Sequence, residues 1–353
     1  MMMRSLVSAT LLTSSRALSL FAGWTGEVPP AALQSPYAAS TQTAVAAVRR
    51  ACEAVATVNP EAWKKDDASP VTVADFAAQA IVVSALRDAF PEDAVVAEET
   101  AAGLSECGAA EAVARVAGMS VADLTLEVPT RGRRKWVLDP VDGTRGFLRG
   151  DQYCTALALV DDGQLALSVI GAPNLRLRSS SKGCLALAVK GCGAFVLEKH
   201  EEWAWRRLRA SHQDASGDLT LVQGVEGSHS NHAWADAAMR RVVGGELRRT
   251  KLDSQVKAIV LADGSADAFI RLPRPGYREN IWDVAPAALL VHEANGHFTD
   301  RRGNPIDWAL PGPLLGVDVD GLLATNGLLH EPLLAALTAT EPPEYSSSSS
   351  SSS

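Results

Sequence analysis

The chain has 353 residues, of which 47% are hydrophobic and 21% are charged, an ordinary composition for a globular protein. Its 41 acidic and 33 basic residues give a formal net charge of −8, which disfavours binding to a nucleic-acid polymer because phosphate backbones require clustered lysine and arginine. No run of 18 uncharged apolar residues occurs, so the sequence predicts no membrane span.

Both ends of the chain have the composition of non-structural segments. Residues 1–26 contain no acidic residue, whereas Arg4 and Arg16 stand among several serines, as in an organellar transit peptide. We therefore predict that residues 1–33 are a transit peptide or a disordered leader, and that the protein lies in a chloroplast or mitochondrion, or otherwise in the cytoplasm. A diproline followed by serines predicts a disordered tail over residues 339–353.

Between the two ends, helices and strands are predicted in irregular alternation. Apolar residues at helical spacing predict helices over residues 38–58 and 74–90, and residues 100–131 are expected to form a surface excursion with one helix. The other predicted elements are strands at 94–97, 135–138, 219–222 and 266–272, hairpins pairing 155–160 with 165–170 and 184–189 with 194–197, and helices over 254–262 and from Asp283 to about 294. This mixture favours a layered α/β or α+β sandwich over a barrel or a doubly wound sheet.

The most informative segment is Trp136–Thr144, in which an apolar strand delivers two carboxylates three residues apart. Pro140 lies between Asp139 and Asp142 and bends the chain, so that both side chains can face one ion. The carbonyl of Val141 would add a further oxygen ligand. Hard cations such as Mg²⁺ prefer such oxygen ligands, so the segment predicts a metal site.

The end of the same segment has the features of a phosphate-binding turn. Gly143 permits backbone angles that other residues avoid, and a turn or helix is predicted to begin at Thr144. The exposed N–H groups that follow Gly143 would form a cradle for phosphate. A structural turn with capping aspartates is the alternative interpretation of the whole pattern.

Three further carboxylate positions are candidates for the same site. Glu98 and Glu99 follow a predicted strand directly, Asp75 lies near the start of a predicted helix, and Asp283 follows Ile281-Trp282 at another helix start. Taken singly, each has an ordinary explanation: Asp75 and Asp283 as helix caps, and Glu98 as a loop charge.

In combination, these motifs resemble the inositol monophosphatase superfamily. The motifs that carry the resemblance, in chain order, are Asp67–Asp75, Glu98-Glu99, Trp136–Thr144 and Ile281–Asp283. Three further segments are similar to the 3'(2'),5'-bisphosphate nucleotidase subgroup, namely Thr144–Tyr153, Leu252–Lys257 and Arg271–Pro273. The resemblance covers residues 38 to about 335, and the motifs are specific as a set.

The resemblance implies an α/β (α+β) fold, the five-layered αβαβα sandwich of the inositol monophosphatase and fructose-1,6-bisphosphatase type. It places one phosphatase domain at residues 34–338, with a metal-binding half at about 34–200 and a nucleotide-binding half at about 201–338. We further expect a monomer, because nothing in the sequence strongly suggests a large partner interface. The expected partner is a small phosphorylated molecule, and we expect no binding to a membrane or to a nucleic-acid polymer.

The resemblance also implies a metal centre and a mechanism. Two or three Mg²⁺ ions would be held by Glu98, Asp139, the carbonyl of Val141, Asp142 and Asp283. Such a cluster needs cations, because each like-charge pair at ~4 Å costs on the order of 4 kcal/mol at an effective dielectric near 20. Asp75, paired with the hydroxyl of Thr144, would orient and deprotonate a water for in-line attack on phosphorus.

The implied substrate is a phosphorylated nucleotide, adenosine 3',5'-bisphosphate, which would lose its 3'-phosphate to give AMP; 3'-phosphoadenylyl sulfate is a second expected substrate, and inhibition by lithium is expected. The residues that the resemblance places around the nucleotide are Gly143, Thr144, His232, Ser254, Lys257 and Arg271. His229 is the alternative to His232, and Lys257 and Arg271 could also be ordinary solvated charges.

Two departures and two rival functions stay open. Asn280 stands where the family commonly has lysine, and Pro286 lies in a segment that usually reads His-Ala-Ala-Gly. Neither change touches a predicted metal ligand, so we expect activity. The rivals are an inositol polyphosphate 1-phosphatase or inositol monophosphatase, with the same metal centre, and an inactive regulator that binds nucleotide.

Overall fold

The computed structural model describes residues 20–58, 62–64, 70–124, 126, 129, 132–178, 181–227 and 230–346. Residues 1–19 of the predicted leader, the start of the Asp67–Asp75 motif, His229 and the serine tail from residue 347 lie outside the described residues. Within the described ranges the chain forms eleven α-helices and three β-sheets.

The helices are distributed along the whole described chain. In order they are α1 (Pro30–Leu33), α2 (Ala38–Val55), α3 (Val73–Ala89), α4 (Ala101–Cys107), α5 (Ala110–Ala117), α6 (Thr144–Arg149), α7 (His232–Val242), α8 (Val256–Ala262), α9 (Ala285–Glu293), α10 (His330–Ala339) and α11 (Pro343–Ser346). Short 3-10 turns lie at Val121–Asp123 and Ile281–Asp283.

The strands fall into one small and two large sheets. In order they are β1 (Ala62–Lys64), β2 (Pro70–Thr72), β3 (Ala94–Ala97), β4 (Arg134–Asp142), β5 (Cys154–Asp161), β6 (Gln164–Ala172), β7 (Cys184–Val189), β8 (Gly193–Lys199), β9 (Trp203–Arg207), β10 (Leu219–Gln223), β11 (Leu247–Lys251), β12 (Ala268–Arg271), β13 (His297–Asp300) and β14 (Leu322–Thr325). β1 and β2 form the small sheet.

The larger sheet has seven strands in the order β3-β4-β5-β6-β7-β8-β9. β3 and β4 run parallel, and each later neighbour is antiparallel to the strand before it. The predicted hairpins β5–β6 and β7–β8 are both confirmed. At the β5–β6 turn, Asp162 and Gly163 have φ of 50° and 72°, the left-handed pair that a tight two-residue hairpin requires.

The second large sheet has five strands in the order β11-β10-β12-β14-β13. Its strands are only four or five residues long, and β11 and β12 both run parallel to β10. Of these five strands, the sequence predicts β10 and β12 but not β11, β13 or β14. β11 is an edge strand whose residues are mostly exposed and charged, so it has no apolar pattern from which a strand could be predicted.

Helices cover the sheets and produce five layers. α2 and α3 pack on the outer face of the seven-stranded sheet, α8 and α9 fill the space between the two large sheets, and α7 and α10 cover the second one. The layering is therefore αβαβα, and the predicted fold class is confirmed. Strands β5 to β8 are apolar on both faces because helices cover both.

Two predicted elements differ from the structure. The excursion after residue 100 contains two α-helices instead of one, separated by Gly108 in the left-handed conformation with φ of 63°. The helix predicted to start at Asp283 begins only at Ala285, after the 3-10 turn. Because α4 and α5 follow each other within one Ala/Gly-rich stretch, the boundary between them was not evident from sequence. A turn that shares the helical region of backbone space hid the start of α9.

The folded domain extends further at both ends than the sequence predicted. Residues 20–33 belong to the predicted leader, but Phe21 is 1% exposed and its ring lies 5.1 Å from that of Trp203. Residues 340–346 belong to the predicted tail, but Tyr345 is 6% exposed and its ring lies 4.7 Å from that of Trp234. Aromatic residues in otherwise polar or small-residue segments were the available signal.

None of the described helices combines the length and the hydrophobicity that crossing a bilayer requires.

Candidate active site and metal centre

A β-bulge in β4 turns its two aspartates to the same side of the sheet. Asp139 lies opposite Ala156 and Asp142 opposite Cys154, so three steps on β4 match two on β5. Residues three apart on a regular strand point to opposite faces, and one extra residue reverses that alternation. The carbonyl of Pro140, at the bulge, accepts a hydrogen bond from Thr155 Oγ1 at 2.8 Å. The predicted strand end at Asp139 is therefore wrong, because β4 continues through Asp142.

Glu98 is brought to the same place by the parallel pairing of β3 with β4. Ala97 pairs with Leu138. The residues that follow them, Glu98 and Asp139, therefore lie side by side. The buried side chain of Gln79 on α3 fixes this segment, since it donates to the carbonyl of Glu99 at 2.7 Å and accepts from its N–H at 3.0 Å. The strand end and α3 together therefore hold Glu98 in position.

Asp75 enters the site from the first turn of α3, where its side chain is 2% exposed. It is close enough to Asp139 to raise the pKa of that carboxyl. The hydroxyl of Thr144 donates to the carbonyl of Val141 at 3.1 Å, which fixes the turn that links β4 to α6. The pairing of Asp75 with Thr144, and metal binding by the Val141 carbonyl, stay predictions.

Asp283 comes from the other half of the chain, on the 3-10 turn between the two large sheets. Its predicted role as a helix cap is wrong, because Val284 occupies the cap position of α9 and Asp283 lies one residue earlier. Asn280 Nδ2 donates to Asp283 Oδ2 at 3.2 Å. Pro286 lies in the first turn of α9, where a backbone N–H would have no acceptor within the helix. The proline therefore removes no helical hydrogen bond, and this departure from the family pattern leaves the helix intact.

Gln255 connects the aspartates of the two halves, and the sequence analysis did not single it out for this role. Its backbone N–H donates to Asp142 Oδ2 at 2.6 Å, and its side-chain amide donates to the carbonyl of Trp282 at 3.0 Å. Its side-chain oxygen accepts from the N–H of Ala287 at 3.1 Å. Buried at 5% exposure, Gln255 thus sets the distance between Asp142 and the turn that carries Asp283.

The three aspartates form a cluster with the properties of a cation site. Oxygen atoms of Asp139, Asp142 and Asp283 all lie within 4.8 Å of one another. Asp139 Oδ1 is buried and has no hydrogen-bond partner among the described residues. A buried carboxylate oxygen without a donor is costly unless a cation binds it, so these residues fit a hard divalent metal.

The electrostatics of the cluster agree with this assignment. Burial, followed by the charges of Glu98 and Asp142, raises the pKa of Asp139 well above its usual range. Burial also raises the pKa of Asp283 to about 8, with Asp142 adding to the rise and Arg271 opposing it. In the absence of a cation, these groups therefore retain protons that isolated aspartates lose near pH 4.

A pH-dependent stability follows for the metal-free protein. Because the folded-state pKa of Asp283 is about 8 and the unfolded value is 3.8, the folded protein binds more protons within this window. The free energy of unfolding should then decrease as pH rises from about 4 to about 8. We expect the thermal midpoint in a chelator to fall with pH, and Mg²⁺ to raise it most at the upper end. Identical pH profiles with Mg²⁺ and with chelator would contradict a metal role for this cluster.

A cavity of about 680 Å³ opens beside the acidic cluster. Asp142 and Asp283 line it, and every residue predicted to contact the nucleotide lines it as well: Gly143, Thr144, His232, Ser254, Lys257 and Arg271. Gly143 has φ of 86°, and a Cβ there would lie 3.0 Å from Cβ of Ser254, so the close approach of the two loops requires glycine. The structure therefore brings the predicted metal and substrate residues to one place.

Lys257 on α8 is held at the cavity wall. Its ammonium donates to the carbonyls of Ser254 and, at 3.4 Å, Leu252, and it lies 5.5 Å from the ring centre of Phe269. Burial lowers the pKa of Lys257, and the nearby Asp142 opposes that change. Ser254 has φ of 63°, a strained conformation for a serine, which turns the chain into α8 directly beside Asp142.

Arg271 at the end of β12 forms an ion pair that is mostly enclosed. Its Nε donates to Glu279 Oε1 at 2.6 Å, and Glu279 is fully buried. The other oxygen of Glu279, Oε2, is buried without a partner among the described residues. The guanidinium carbon lies 5.9 Å from the ring centre of Tyr277. Glu279, which the sequence analysis did not name, therefore orients Arg271 along the cavity wall.

His232 begins α7 and lines the cavity with an imidazole that burial keeps neutral. Burial, together with the charge of Lys251, lowers its pKa. Its Nε2 is buried without a partner among the described residues. The preceding Asn231 caps the helix, because its side-chain oxygen accepts a hydrogen bond from the N–H of Trp234 at 3.0 Å. This cap fixes the position of His232 at the start of α7.

The segment Arg149–Gln152, which suggested the nucleotidase subgroup, plays a structural part. Arg149 donates to Asp151 at 2.9 Å, to Glu226 at 3.1 Å and to Asp253 at 2.5 Å. Glu226 and Asp253 are among the described residues that line the cavity, whereas Arg149 is not. The arginine therefore holds two loops of the cavity rim together.

Solved structures define the class of this fold. The Thermotoga maritima IMPase aligns with a TM-score of 0.60 at 22% identity, covering 84% of this chain and 95% of that chain. CysQ from Bacteroides thetaiotaomicron, described as a bacterial member of the inositol monophosphatase family, aligns with a TM-score of 0.57 at 19% identity, covering 81% and 96%. The sandwich is thus the inositol monophosphatase fold.

Sequence comparison gives the family. The model of the inositol monophosphatase family matches residues 33–341. The 3'(2'),5'-bisphosphate nucleotidase 2 of Candida albicans is 35% identical over 86% of this chain and 97% of the relative. The 3'(2'),5'-bisphosphate nucleotidase of Oryza sativa is 34% identical over 86% of this chain and 94% of the relative. The chain belongs to the inositol monophosphatase family.

Proposed function

We propose that this protein is a 3'(2'),5'-bisphosphate nucleotidase, a phosphomonoesterase that removes the 3'-phosphate of adenosine 3',5'-bisphosphate and releases AMP. The observation that carries the proposal is the convergence of Asp139, Asp142 and Asp283 beside a cavity that Lys257 and Arg271 also line. The relatives named as bisphosphate nucleotidases, which align with 86% of the chain, support the same substrate. We extend the proposal to 3'-phosphoadenylyl sulfate.

The residues of the acidic cluster are proposed to hold two or three Mg²⁺ ions. Glu98, Asp139, Asp142 and Asp283 would bind them through carboxylate oxygens, and Val141 through its carbonyl. When bound, such ions neutralise phosphate charge and increase the acidity of water. The buried carboxylate oxygen of Asp139 that lacks a donor supports this assignment.

The chain's own groups are proposed to carry out the proton and positioning steps. Asp75, nearly fully buried beside the cluster, accepts the proton of the attacking water, and the hydroxyl of Thr144 orients that water. Gly143 and Thr144 contact the phosphate that is cleaved. Attack occurs in line, and the ribose oxygen leaves on the opposite side of phosphorus.

The rest of the cavity is proposed to recognise the nucleotide. Lys257 and Arg271 provide positive charge for a second phosphate, and Ser254 and His232 hydrogen-bond to the nucleotide. The neutral imidazole of His232, with its buried Nε2 free of partners among the described residues, suits a hydroxyl or a ring nitrogen.

A substrate panel tests the proposed function. Phosphate release is measured from adenosine 3',5'-bisphosphate, 3'-phosphoadenylyl sulfate, inositol 1,4-bisphosphate and inositol 1-phosphate, each with and without Mg²⁺. We expect the highest kcat/KM for adenosine 3',5'-bisphosphate, and no turnover without Mg²⁺. Preference for either inositol phosphate would assign the rival phosphatase function. Nucleotide binding without turnover of any substrate would assign a regulator.

Five further properties stay proposals. Organellar targeting rests on the composition of residues 1–26, of which residues 1–19 lie outside the described part of the chain. Inhibition by lithium and a role in sulfur metabolism rest on the resemblance to the nucleotidase subgroup. The lack of a nucleic-acid partner rests on the acidic net charge of −8, and the monomeric state rests on a sequence that does not strongly suggest a large partner interface.

A further inference from the structure

The positive charges that line the cavity differ in how far the protein itself neutralises them. The described residues with permanent positive charge in the lining are Arg145, Lys257, Arg271 and Arg274. Arg145 lies 3.5 Å from the carboxylate of Glu226, and Arg271 lies 2.6 Å from the buried carboxylate of Glu279. Each of these two arginines therefore already has an anionic partner.

Lys257 is also compensated, by a different arrangement. Its ammonium donates to the carbonyls of Leu252 and Ser254, and the charges of Asp142 and Asp253 act on it across the cavity wall. With two of its three donors engaged and two carboxylates nearby, part of the positive charge of Lys257 is already compensated before a phosphate binds.

Arg274 is the exception in this lining. Its side chain is exposed and forms no ion pair or hydrogen bond with the described residues, although it lines the cavity. It starts a tight turn in which the N–H of Tyr277 donates to the Arg274 carbonyl at 3.1 Å and Gly276 has φ of 81°. The turn directly follows β12 and its Arg271, so Arg274 lies where the cavity opens to solvent.

We propose that Arg274 joins Lys257 and Arg271 in binding the anionic group of the substrate that is not cleaved, the 5'-phosphate of an adenosine bisphosphate. This inference rests on the proposed function and names a specificity-determining residue for it. The cleaved phosphate is served by the acidic cluster and its cations, so the remote phosphate needs a counter-charge from the protein. Of the positive charges in the lining, that of Arg274 is the least compensated. Its guanidinium can donate two parallel hydrogen bonds to two oxygens of a phosphate.

The proposal predicts selectivity between substrates with one and with two phosphates. An arginine at the opening contributes to binding of the remote phosphate and makes no contact with the cleaved one. Its removal should therefore raise KM for adenosine 3',5'-bisphosphate and leave KM for adenosine 3'-phosphate unchanged. The value of kcat should stay constant for both, because the ground state and the transition state lose the same contact.

The test compares Arg274→Gln, Arg274→Lys and the control Arg240→Gln, which removes an exposed arginine of α7 outside the cavity lining. For Arg274→Gln we expect about a tenfold rise in KM for adenosine 3',5'-bisphosphate, the size of one charge-assisted hydrogen bond. Arg274→Lys should fall between this variant and the wild type, and Arg240→Gln should match the wild type. Calorimetric titration with AMP, which carries only the 5'-phosphate, should show the same loss of affinity without turnover.

Two outcomes would overturn the assignment of Arg274. An equal rise in KM for adenosine 3'-phosphate would show a general electrostatic effect, and unchanged KM for both substrates would show no contact. Failure of the proposed function is separate, because it appears in the wild type as preference for inositol phosphates. In that case the comparison of inositol 1,4-bisphosphate with inositol 1-phosphate applies the same criterion to Arg274.

Discussion

Asp142→Asn is expected to abolish phosphate release while leaving the fold intact. Asp142 contributes one of the three carboxylates that lie within 4.8 Å of one another, and it also lines the cavity. Asparagine is the same size but neutral, so it weakens metal binding at the point where phosphate charge must be neutralised. A loss of several kcal/mol of transition-state stabilisation corresponds to a decrease in kcat of about a thousandfold or more.

The fold should tolerate this change because the structural contact of Asp142 can be kept. Its Oδ2 accepts the N–H of Gln255 at 2.6 Å, and the amide oxygen of asparagine can accept the same bond. Removing one like charge from the cluster also relieves repulsion in the metal-free protein. Circular dichroism and thermal unfolding should therefore match or exceed the wild type in a chelator.

A matched control separates charge at the site from charge elsewhere. Asp218→Asn makes the same chemical change just before β10, where Asp218 pairs with Arg248 at 2.9 Å outside the cavity lining. This variant should retain full turnover. Normal phosphate release by Asp142→Asn would remove Asp142 from the reaction.

Arg271→Ala is expected to have the largest effect on stability. The guanidinium is the partner of Glu279, whose side chain is fully buried, and the second carboxylate oxygen of Glu279 already lacks a partner among the described residues. Removing the arginine leaves a buried carboxylate without a counter-charge, which typically costs about 3 kcal/mol. Chemical denaturation should show this decrease in the free energy of unfolding, together with a raised KM for a bisphosphate.

A second substitution distinguishes the two roles of Arg271. Glu279→Gln in the Arg271→Ala background removes the buried charge, so most of the lost stability should return. The raised KM should persist, since the guanidinium is still missing from the cavity wall. Equal stability of Arg271→Ala and the double variant would show that the ion pair does not account for the loss.

The acidic cluster was the part of the site most accessible from sequence. Asp139 and Asp142 stand three residues apart around Pro140, and this local spacing already indicated that both could face one ion. The register with β5 explains why, since the bulge reverses the alternation between them. The two side chains lie on one side of the sheet because the relevant geometry is set within four consecutive residues, whereas metal binding by them stays a prediction.

The supporting residues were inaccessible for the opposite reason. Gln255 touches Asp142 and Trp282, residues more than 25 positions away from it in either direction. Nothing in its own neighbourhood marks it as different from other polar residues near a helix start. The burial of Glu279 and the free side chain of Arg274 likewise depend on packing between distant segments. Such roles follow from tertiary contacts, which hydrophobic periodicity does not encode.

The segment at residues 20–28 has a consequence for how the protein can be handled. The indole N–H groups of Trp203 and Trp205, on the last strand of the seven-stranded sheet, donate to the carbonyls of Ala22 and Glu27 at 2.9 and 2.7 Å. A chain cut after residue 28 would leave two indoles and an edge strand open to other molecules, the usual route to aggregation. Soluble preparations should therefore begin at or before residue 20.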